Sequence, residues 1–352
     1  MVGGPLLADT VIALVTDDYG PVFMLERAGA HAAVFGPELL ENGVEAAQRL
    51  VQRSSLHLLC ANIADTLGEP FGHPMLILEA GGARFGIAAI RVDSTDTRLR
   101  TRGVEFLPAD RAAARVLGLL RMHSDVTGLV LDAESDDPSL AVGYDFTIGP
   151  GGRTLSVSVP ERPDLVARVD LFLEAGRVTD RRVVVERLAE WPENPVVRRL
   201  VDSVQNEVDA VLSEFVVGAV VEASCEALSR MLVTGRLSRD IDGFLTDRLL
   251  FTAALGPGSI DARSVIAAME EPGRFAIVEL TGWQVKELTE RPGVSIAWRT
   301  ALRHMRLAMS RRYRIAMTAG FFDRHAQHIS GDRELDEEPA WRIAVRLLAR
   351  ER

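Results

Sequence analysis

Seven histidines are the first residues to consider as metal ligands or proton carriers, because imidazole serves both purposes near neutral pH. His325 and His328 lie three residues apart beside Asp323, a spacing that could place them on one helix face. A zinc site would need a third and a fourth ligand, which nothing nearby supplies. The other histidines stand singly, as surface or hydrogen-bonded core histidines usually do: His31, His57, His73, His123 and His304. Histidine spacing alone therefore predicts no metal site.

Acidic clusters and glycine-rich runs are the next candidates for binding. The clusters at residues 132–137 (DAESDD) and 332–338 (DRELDEE) could chelate a hard cation, but they lack the spacing and the glycine of a calcium loop. The runs at 149–152 (GPGG) and 255–259 (LGPGS) match neither a P-loop nor a dinucleotide fingerprint. We interpret the acidic clusters as solvated loops and the glycine-rich runs as turns.

The first half of the chain alternates short β-rich runs with helical patterns, which is typical of a layered α/β domain. Helices are predicted at residues 39–52 and 108–122, and a β-hairpin is predicted through Gly81 and Gly82. Strands are predicted at residues 10–15, 57–61, 75–79, 83–91, 128–132, 154–159 and 167–174.

A boundary is predicted at residues 191–195 (WPENP), where two prolines interrupt the chain. We divide the sequence into a first domain at 1–190, a linker or helix at 191–215 and a second, smaller domain at 216–352, since 352 residues suit two cores. Apolar residues at helical spacing predict one long helix, or two, over residues 196–231. The second domain then reads helix, loop (254–265), helix, strand (274–282) and a helix that begins at 283–288.

Composition limits the class of protein. With 47% hydrophobic and 26% charged residues, the chain is expected to be globular, and a formal net charge of −10 argues against nucleic acid as a partner. No signal peptide and no membrane-spanning run is recognised, so a cytoplasmic location without membrane association is expected. Cys60 and Cys225 lie in apolar stretches far apart in sequence, which favours buried free thiols over a disulfide.

Four stretches, taken in order, resemble the 5'-nucleotidase branch of the metallophosphoesterases. The most specific is HLLCANIADTLGEPFGHPMLILEAGGARFGIAAI at residues 57–90, which follows a helix-and-loop segment at 28–52. Segments at 125–155 and LGPGSIDARSVIAAMEEPGRFAIVELTGWQVKELTE at 255–290 continue the match. The resemblance covers about residues 11–288. It implies a layered metallophosphoesterase-like α/β domain followed by a smaller α+β domain like the 5'-nucleotidase C-terminal domain.

The family's chemistry depends on two divalent metals that activate a water molecule and hold the phosphoryl oxygens. By this resemblance Asp17 and Asp18 stand at the position of the bridging carboxylate, and the family's first Asp-x-His motif has no counterpart. Pro37 replaces the ligating Asn, Glu38 replaces the catalytic His, and Leu39 replaces the neighbouring acid. Proline offers no side-chain donor.

The later metal-binding loops are changed as well. Ala133 stands where a ligating His is expected, beside Asp132, and residues 149–153 (GPGGR) replace the Gly-His-x-His loop. The resemblance therefore implies no dinuclear centre of the family's kind, and we expect neither a metal nor another cofactor.

The family's second domain stacks a nucleobase on an aromatic ring that follows a Gly-Gly-Asp turn. The nearest match here is Gly331–Asp332, followed by residues 333–335 (REL) without a ring. Phe321 and Phe322 are substitutes for the missing ring, although neighbouring aromatic residues are more often core. With Arg153, they are the candidate ligand-binding residues.

Two functions of different classes remain open. The first is a catalytically silent 5'-nucleotidase-like protein, a pseudoenzyme that binds a small nucleotide-like ligand or supports a protein partner, either a homo-oligomer or an active paralogue. The alternative is an enzyme with metal-independent or single-metal chemistry in the interdomain cleft, or a residual nucleotide phosphohydrolase. Mutual repulsion of clustered carboxylates would raise a pKa for such chemistry. The carboxylate candidates are Asp17, Asp18, Glu38, Asp132 and Asp145.

Overall fold

The structure is a computed structural model. It describes residues 11–16, 19–92, 96–131, 138–149, 156–158, 165–174, 177–214, 217–220, 223–237, 240–302 and 306–350. The chain forms two compact units. The first unit comprises Met1–Leu40, Val44–Leu99 and Gly103–Val204, and the second comprises Glu41–Gly43, Arg100–Arg102 and Gln205–Arg352.

The first unit is an α/β layered body. Its helices are α1 (Val11–Thr16), α2 (Tyr19–Arg27), α3 (Val44–Arg53), α4 (Ala109–His123) and α5 (Pro195–Glu214), of which α5 continues into the second unit. Its strands are β1 (Ala32–Val34), β2 (His57–Leu59), β3 (Ile63–Asp65), β4 (Leu76–Ala80), β5 (Ala83–Ile90), β6 (Val104–Phe106), β7 (Val126–Leu131), β8 (Phe146–Gly149), β9 (Ser156–Ser158), β10 (Leu165–Glu174) and β11 (Arg177–Arg187).

Four of the seven strand pairs described in the first unit are parallel. Strands β5, β7, β8 and β9 pair in parallel, and β4 adds an antiparallel edge. Strands β1 and β2 form a parallel pair. The Ala61 N–H donates to the Ala89 carbonyl at 2.9 Å, so the chain after β2 lies beside the end of β5. The predicted hairpin is confirmed, with Gly81 and Gly82 at φ +58° and +81°, a region that side chains disfavour.

The spacing of apolar residues in α4 explains why this segment is helical. Ala112, Ala113, Val116, Leu117 and Leu120 recur at helical spacing and are all buried, while the residues between them face outward. This apolar stripe packs in one core cluster with side chains of β5 and β7. Helix α4 thereby covers one face of the parallel sheet.

Two of the predictions for the first half need correction. The strand predicted at residues 10–15 is wrong, because residues 11–16 form α1. The Thr16 hydroxyl donates to the Ile12 carbonyl at 2.7 Å, one helical turn back, and accepts from the Gly20 N–H at 2.9 Å. A six-residue apolar run does not distinguish a strand from a buried helix. The helix predicted at 39–52 begins only at Val44, after a 3-10 turn at Pro37–Leu40.

The second unit is an α+β body. Its helices are α6 (Cys225–Arg236), α7 (Ala262–Ala268), α8 (Gly282–Thr289), α9 (Ala319–His325) and α10 (Ala340–Arg350). Its strands are β12 (Val217–Val220), β13 (Gly243–Thr246), β14 (Gly258–Ile260), β15 (Arg274–Thr281), β16 (Ser295–Trp298), β17 (Arg312–Met317) and β18 (Glu334–Pro339). Five of them form a mixed sheet in the order β16-β13-β17-β15-β18.

Two secondary-structure predictions for the second half need correction, those for the loop at 254–265 and for the acidic run at 332–338. The two-helix alternative for residues 196–231 is the observed one, because β12 separates α5 from α6. The predicted loop at 254–265 contains β14 and the start of α7, which Asp261 caps by accepting from the Ser264 N–H at 2.8 Å. The acidic run at 332–338 is mostly strand β18 rather than a solvated loop. Its Asp336 is buried and pairs with Arg236.

Among the described residues, no helix combines the length and the apolar character that crossing a bilayer requires.

Two glycines of the first unit give a matched test of its packing. A Cβ on Gly128 in β7 would lie 2.2 Å from Cζ of the buried Phe146, whereas a Cβ on Gly118 in α4 meets nothing within 4 Å. We expect Gly128→Ala to lower the free energy of unfolding by about 1–3 kcal/mol through overpacking. Gly118→Ala is expected to raise it by up to about 1 kcal/mol, because alanine favours the helix. Urea denaturation measures both, and equal effects would contradict this packing.

Candidate functional site

The carboxyl ends of the parallel strands in the first unit are the place where this type of sheet usually binds ligands. Within the described residues, this carboxyl edge comprises the residues that follow Val34 of β1, Leu59 of β2 and Ile90 of β5. The Phe35 N–H donates to the Leu59 carbonyl at 2.9 Å, which holds the first two strand ends side by side. Three loops therefore begin at one edge.

Glu38 follows β1 in the 3-10 turn and is the one carboxylate candidate that the structure places at this edge. Its side chain is buried and folds back over Gly36, where a Cβ would lie 2.0 Å from Oε2 of Glu38. Glycine at position 36 thus makes room for the carboxylate. Pro37 and Leu39 are also buried, and Leu39 belongs to the hydrophobic core. The turn is therefore fixed by packing on both sides of Glu38.

Asn62, which follows β2, was missed by the sequence reasoning. It is fully buried, and its Oδ1 accepts from the Arg91 N–H at 2.8 Å. Its Nδ2 donates to the carbonyls of Arg91 at 2.7 Å and Leu107 at 3.3 Å. One side chain thus ties together the chain after β2, β5 and β6. Its position in the ANI triplet of the most specific matching segment was the available signal.

A compact ion cluster follows β5. Asp96 accepts from Arg91 Nη2 at 3.1 Å, from Arg98 Nε at 2.9 Å and from Arg98 Nη2 at 2.7 Å, and only 8% of its side chain is exposed. Burial raises the pKa of Asp96, but the hydrogen bonds and charges of Arg98 and Arg91 outweigh burial and hold the pKa below its ordinary value. Asp96 therefore acts as a fixed anion that orders two arginines.

Asp145 lies elsewhere in the sheet. Its Oδ2 accepts from the Thr127 N–H at 2.7 Å and from the Thr127 hydroxyl at 2.9 Å, immediately before β8 and near the start of β7. These are the amino ends of parallel strands, whereas Glu38 follows the carboxyl end of β1. The expectation that Asp145 converges with Glu38 on one site is therefore wrong, because the two residues belong to opposite ends of parallel strands.

Four of the predicted site residues lie outside the described residues: Asp17, Asp18, Asp132 and Arg153. The structure therefore gives no position for them.

The two neighbouring histidines of the second unit have different partners. His325, at the end of α9, places Nε2 3.4 Å from Oδ2 of Asp247. His328 Nδ1 lies 3.0 Å from Oε1 of Glu287, and its Nε2 contacts Arg291. The expected common helix face is therefore absent for this pair. Across the ranges that the structure describes, no three His, Cys, Asp or Glu side chains are grouped so that they could hold a metal ion.

Asp247 is the centre of a second ion cluster, at the carboxyl end of β13. Arg324 donates to Asp247 through Nε at 3.1 Å and Nη2 at 2.7 Å. This bidentate geometry favours the ionised form of the Asp247 carboxylate. Burial raises the pKa of Asp247, but the hydrogen bonds from Arg324 and His325 and the charge of Arg324 outweigh burial and lower the pKa. A small cleft beside this pair is also lined by Glu270 and Glu271. The cleft is lined by Leu249 and Leu250 as well as by charged residues, and no aromatic side chain lines it.

Phe321 and Phe322, the candidate stacking residues, lie in the hydrophobic core of the second unit with at most 1% of their surface exposed. The guanidinium groups of Arg100 and Arg333 lie 5.1 Å and 5.7 Å from the centre of the Phe322 ring. Arg100 also donates to the Gly331 carbonyl at 2.9 Å. The turn at Gly331 and the phenylalanine rings thus form one packed structure without an open ring face.

Comparisons with known proteins find similarity in structure but not in sequence. No protein-family model matches the chain, and no curated protein is significantly similar in sequence. A putative 5'-nucleotidase of Staphylococcus aureus, solved in complex with alpha-ketoglutarate, superimposes with a TM-score of 0.62 at 12% identity, covering 99% of this chain and 87% of that one.

Two further solved structures are similar over nearly the whole chain. The 5'-nucleotidase precursor of Thermus thermophilus gives a TM-score of 0.56 at 13% identity over 98% of this chain and 86% of that one. The NAD nucleotidase of Haemophilus influenzae gives a TM-score of 0.56 at 11% identity over 99% of this chain and 86% of that one. Likeness at this identity shows the fold. The predicted mixed α/β, two-domain 5'-nucleotidase architecture is confirmed.

The Asp96 cluster generates a pH-dependent prediction. A carboxylate whose pKa is lowered by folding stabilises the protein above its unfolded pKa of about 3.9, and this contribution is lost as the pH falls through the folded pKa. We expect Asp96→Asn to lower the free energy of unfolding at pH 7 by about 1–3 kcal/mol, as for hydrogen bonds to charged groups. The difference from the unmodified protein should shrink below about pH 4.

Urea denaturation at several pH values measures this difference. Asp125→Asn is the matched control, because Asp125 also pairs with an arginine, Arg84, but in an exposed position. A destabilisation by Asp96→Asn that is the same at pH 7 and pH 3 would show that the charge of Asp96 does not stabilise the fold.

Proposed function

We propose that this chain is a catalytically silent protein with the 5'-nucleotidase fold, a pseudoenzyme that supports a protein partner. One observation carries the proposal. At the described part of the carboxyl edge, the polar side chains are packed into the protein: Glu38 is buried over Gly36, and Asn62 holds loops together through the backbone of Arg91 and Leu107. Groups engaged in this way are not directed at a substrate.

The donor set at this edge does not fit the two metal ions on which the chemistry of the 5'-nucleotidase family depends. A dinuclear centre needs seven or eight inward N or O donors around two ions about 3.5–4 Å apart. Among the described carboxylates after these strand ends, Glu38 lies next to the donorless Pro37, and Asp96 is already bound by Arg91 and Arg98. The Asn62 amide already makes three hydrogen bonds to backbone. We therefore derive no hydrolytic step through metal ions.

A partner role is better supported than a nucleotide-binding role. The two candidate stacking rings offer a nucleobase no open face, because Phe321 and Phe322 are buried and Arg100 and Arg333 lie over the Phe322 ring. The repurposed enzyme that the sequence left open gains no support either, since Asp145 and Glu38 belong to opposite strand ends.

A cytoplasmic location is part of the proposal. Cys60 and Cys225 are free thiols, the state that reducing compartments maintain. A net charge of −10 supports a protein partner over nucleic acid.

Phosphatase assays test the proposal directly. We expect no turnover of a nucleotide panel above a buffer blank when Mn²⁺, Co²⁺, Mg²⁺ or Zn²⁺ is added, because the edge lacks the donors for an activated water. Mass spectrometry of the native protein should find no stoichiometric metal. Two metals per chain would contradict the proposal, as would turnover that Asp17→Asn, Asp18→Asn or Glu38→Gln abolishes. Turnover that persists unchanged in all three variants would be assigned to contamination, which an independent preparation should remove.

A thermal-shift screen separates the partner role from a nucleotide-binding role. A ligand present at 100 times its Kd adds about 2.7 kcal/mol to the free energy of unfolding, so binding raises Tm visibly. We expect AMP, GMP and NAD to leave Tm unchanged at millimolar concentration. A rise in Tm that saturates with concentration would favour the ligand-binding form of the pseudoenzyme.

A further inference from the structure

Strands β10 and β11 form a two-stranded antiparallel ribbon that pairs with no third strand among the described residues. It runs from Leu165 opposite Arg187 to Glu174 opposite Arg177, with a bulge after Phe172. An isolated two-stranded ribbon is marginally stable in water, and three or more strands are normally needed. Within the described residues, the ribbon therefore lacks the third strand that such a sheet normally needs.

The two faces of the ribbon differ in polarity. Residues directly opposite each other share a face, and alternate residues of a strand point to opposite faces. One face, which we call the apolar face, takes every second residue of β10 from Leu165 to Leu173 together with Val178, Val183 and Val185, and it also carries Arg181 and Arg187. The other face carries charges, including Arg168 with Asp170 at 3.4 Å and with Glu186 at 3.8 Å.

This region concentrates the exposed apolar surface of the protein. No residue of β10 or β11 is buried. Six of the eleven large hydrophobic side chains that are exposed in the described chain lie between residues 172 and 196. They include Phe172 at 51%, Val185 at 45% and Trp191 at 52%. Val183 and Val185 lie on the apolar face, whereas Phe172 lies on the charged face. Exposed apolar side chains concentrated in one region often mark an interaction site.

We propose that the missing neighbour is the β10 strand of a second copy of this chain, so that two ribbons form one four-stranded antiparallel sheet. Strand β10 is self-complementary in the antiparallel direction about Leu171. In that register Arg168 lies opposite Glu174 of the second copy, and Val169 lies opposite Leu173 of the second copy. The apolar faces stay on the same side of the combined sheet, because each pair joins residues of the same face.

Charge selects β10 rather than β11 as the meeting edge. Glu174 is exposed and has no ion pair among the described residues, so it is available to Arg168 of the second copy. Strand β11 carries arginines at 177, 181, 182 and 187 against two acids, Asp180 and Glu186. Two β11 edges would bring like charges together, which destabilises cross-strand pairing. A twofold pairing through β10 is also the commonest symmetry of soluble dimers.

This dimer rests on the proposed function in one respect: it names the partner that the pseudoenzyme supports. The two claims remain separable. A monomer without turnover contradicts the dimer alone, and a dimer that hydrolyses nucleotides contradicts the proposed function alone.

Sedimentation of the full-length protein over a range of concentrations tests the dimer. We expect a monomer–dimer equilibrium whose dissociation constant rises about fivefold or more in Glu174→Arg, because two exposed charge pairs are lost per dimer. Arg168→Glu should also raise the dissociation constant of the dimer. The double variant, Arg168→Glu with Glu174→Arg, should recover part of the affinity, because it restores pairs of opposite charge. Circular dichroism checks that these exposed substitutions leave the fold intact.

Cysteine crosslinking tests the register. The register places Leu171 opposite Leu171 of the second copy, so oxidised Leu171→Cys should form a covalent dimer. Val183→Cys is the matched control, because it lies on the same face but on β11, one strand away from the meeting edge. A monomer at all concentrations would overturn the proposal. So would a dimer that ignores the charge substitutions and crosslinks as readily through Val183→Cys as through Leu171→Cys.

Discussion

The hydrogen bonds of the buried Asn62 amide are the interaction on which the first unit depends. One side chain satisfies both backbone polar groups of Arg91 and the carbonyl of Leu107, at the point where the chain leaves β2, β5 and β6. Buried backbone groups without partners would cost about 1–3 kcal/mol each, so these loops are held where the amide can reach them. The same loops surround the carboxyl edge, the usual ligand site of a parallel sheet. At this edge, polar chemistry is therefore used for structure.

Much of the fold follows from local patterns that allow one interpretation. Helix α4 was predictable from its apolar stripe, and the β4–β5 hairpin from Gly81 and Gly82, whose positive φ values suit a tight turn. The helical state of the short run that forms α1 was not predictable, because a mostly apolar run of six residues fits either a strand or a helix. Strand β18 was missed since its acidic residues suggested a solvated loop, and its arginine partner, Arg236, lies a hundred residues away.

The candidate site was less predictable than the fold for a physical reason. Resemblance assigns residues to positions along a chain, but strand β1, which precedes Pro37, Glu38 and Leu39, was not predicted, and Leu39 lies in a 3-10 turn rather than in the predicted helix. It does not show which end of a strand a residue occupies, and Asp145, expected to converge with Glu38 on one cleft, lies before β8 at the opposite end of the strands. The roles of Asn62 and Asp96 required three-dimensional contacts between segments distant in sequence. The exposure of the β10–β11 ribbon likewise has no sequence signature, because the same alternation is found in any half-buried strand.

The central proposal is that the carboxyl edge of the first unit, in the part that the structure describes, is a packed structural element that does not hold a metal pair. The most direct measurement is anomalous diffraction at the manganese edge from a crystal of the protein grown with millimolar Mn²⁺. The account predicts no anomalous peak beside Glu38 and Asn62, with the Asn62 amide still bonded to the backbone of Arg91 and Leu107. Two peaks about 3.5–4 Å apart at this edge would contradict it, because they would show a dinuclear centre.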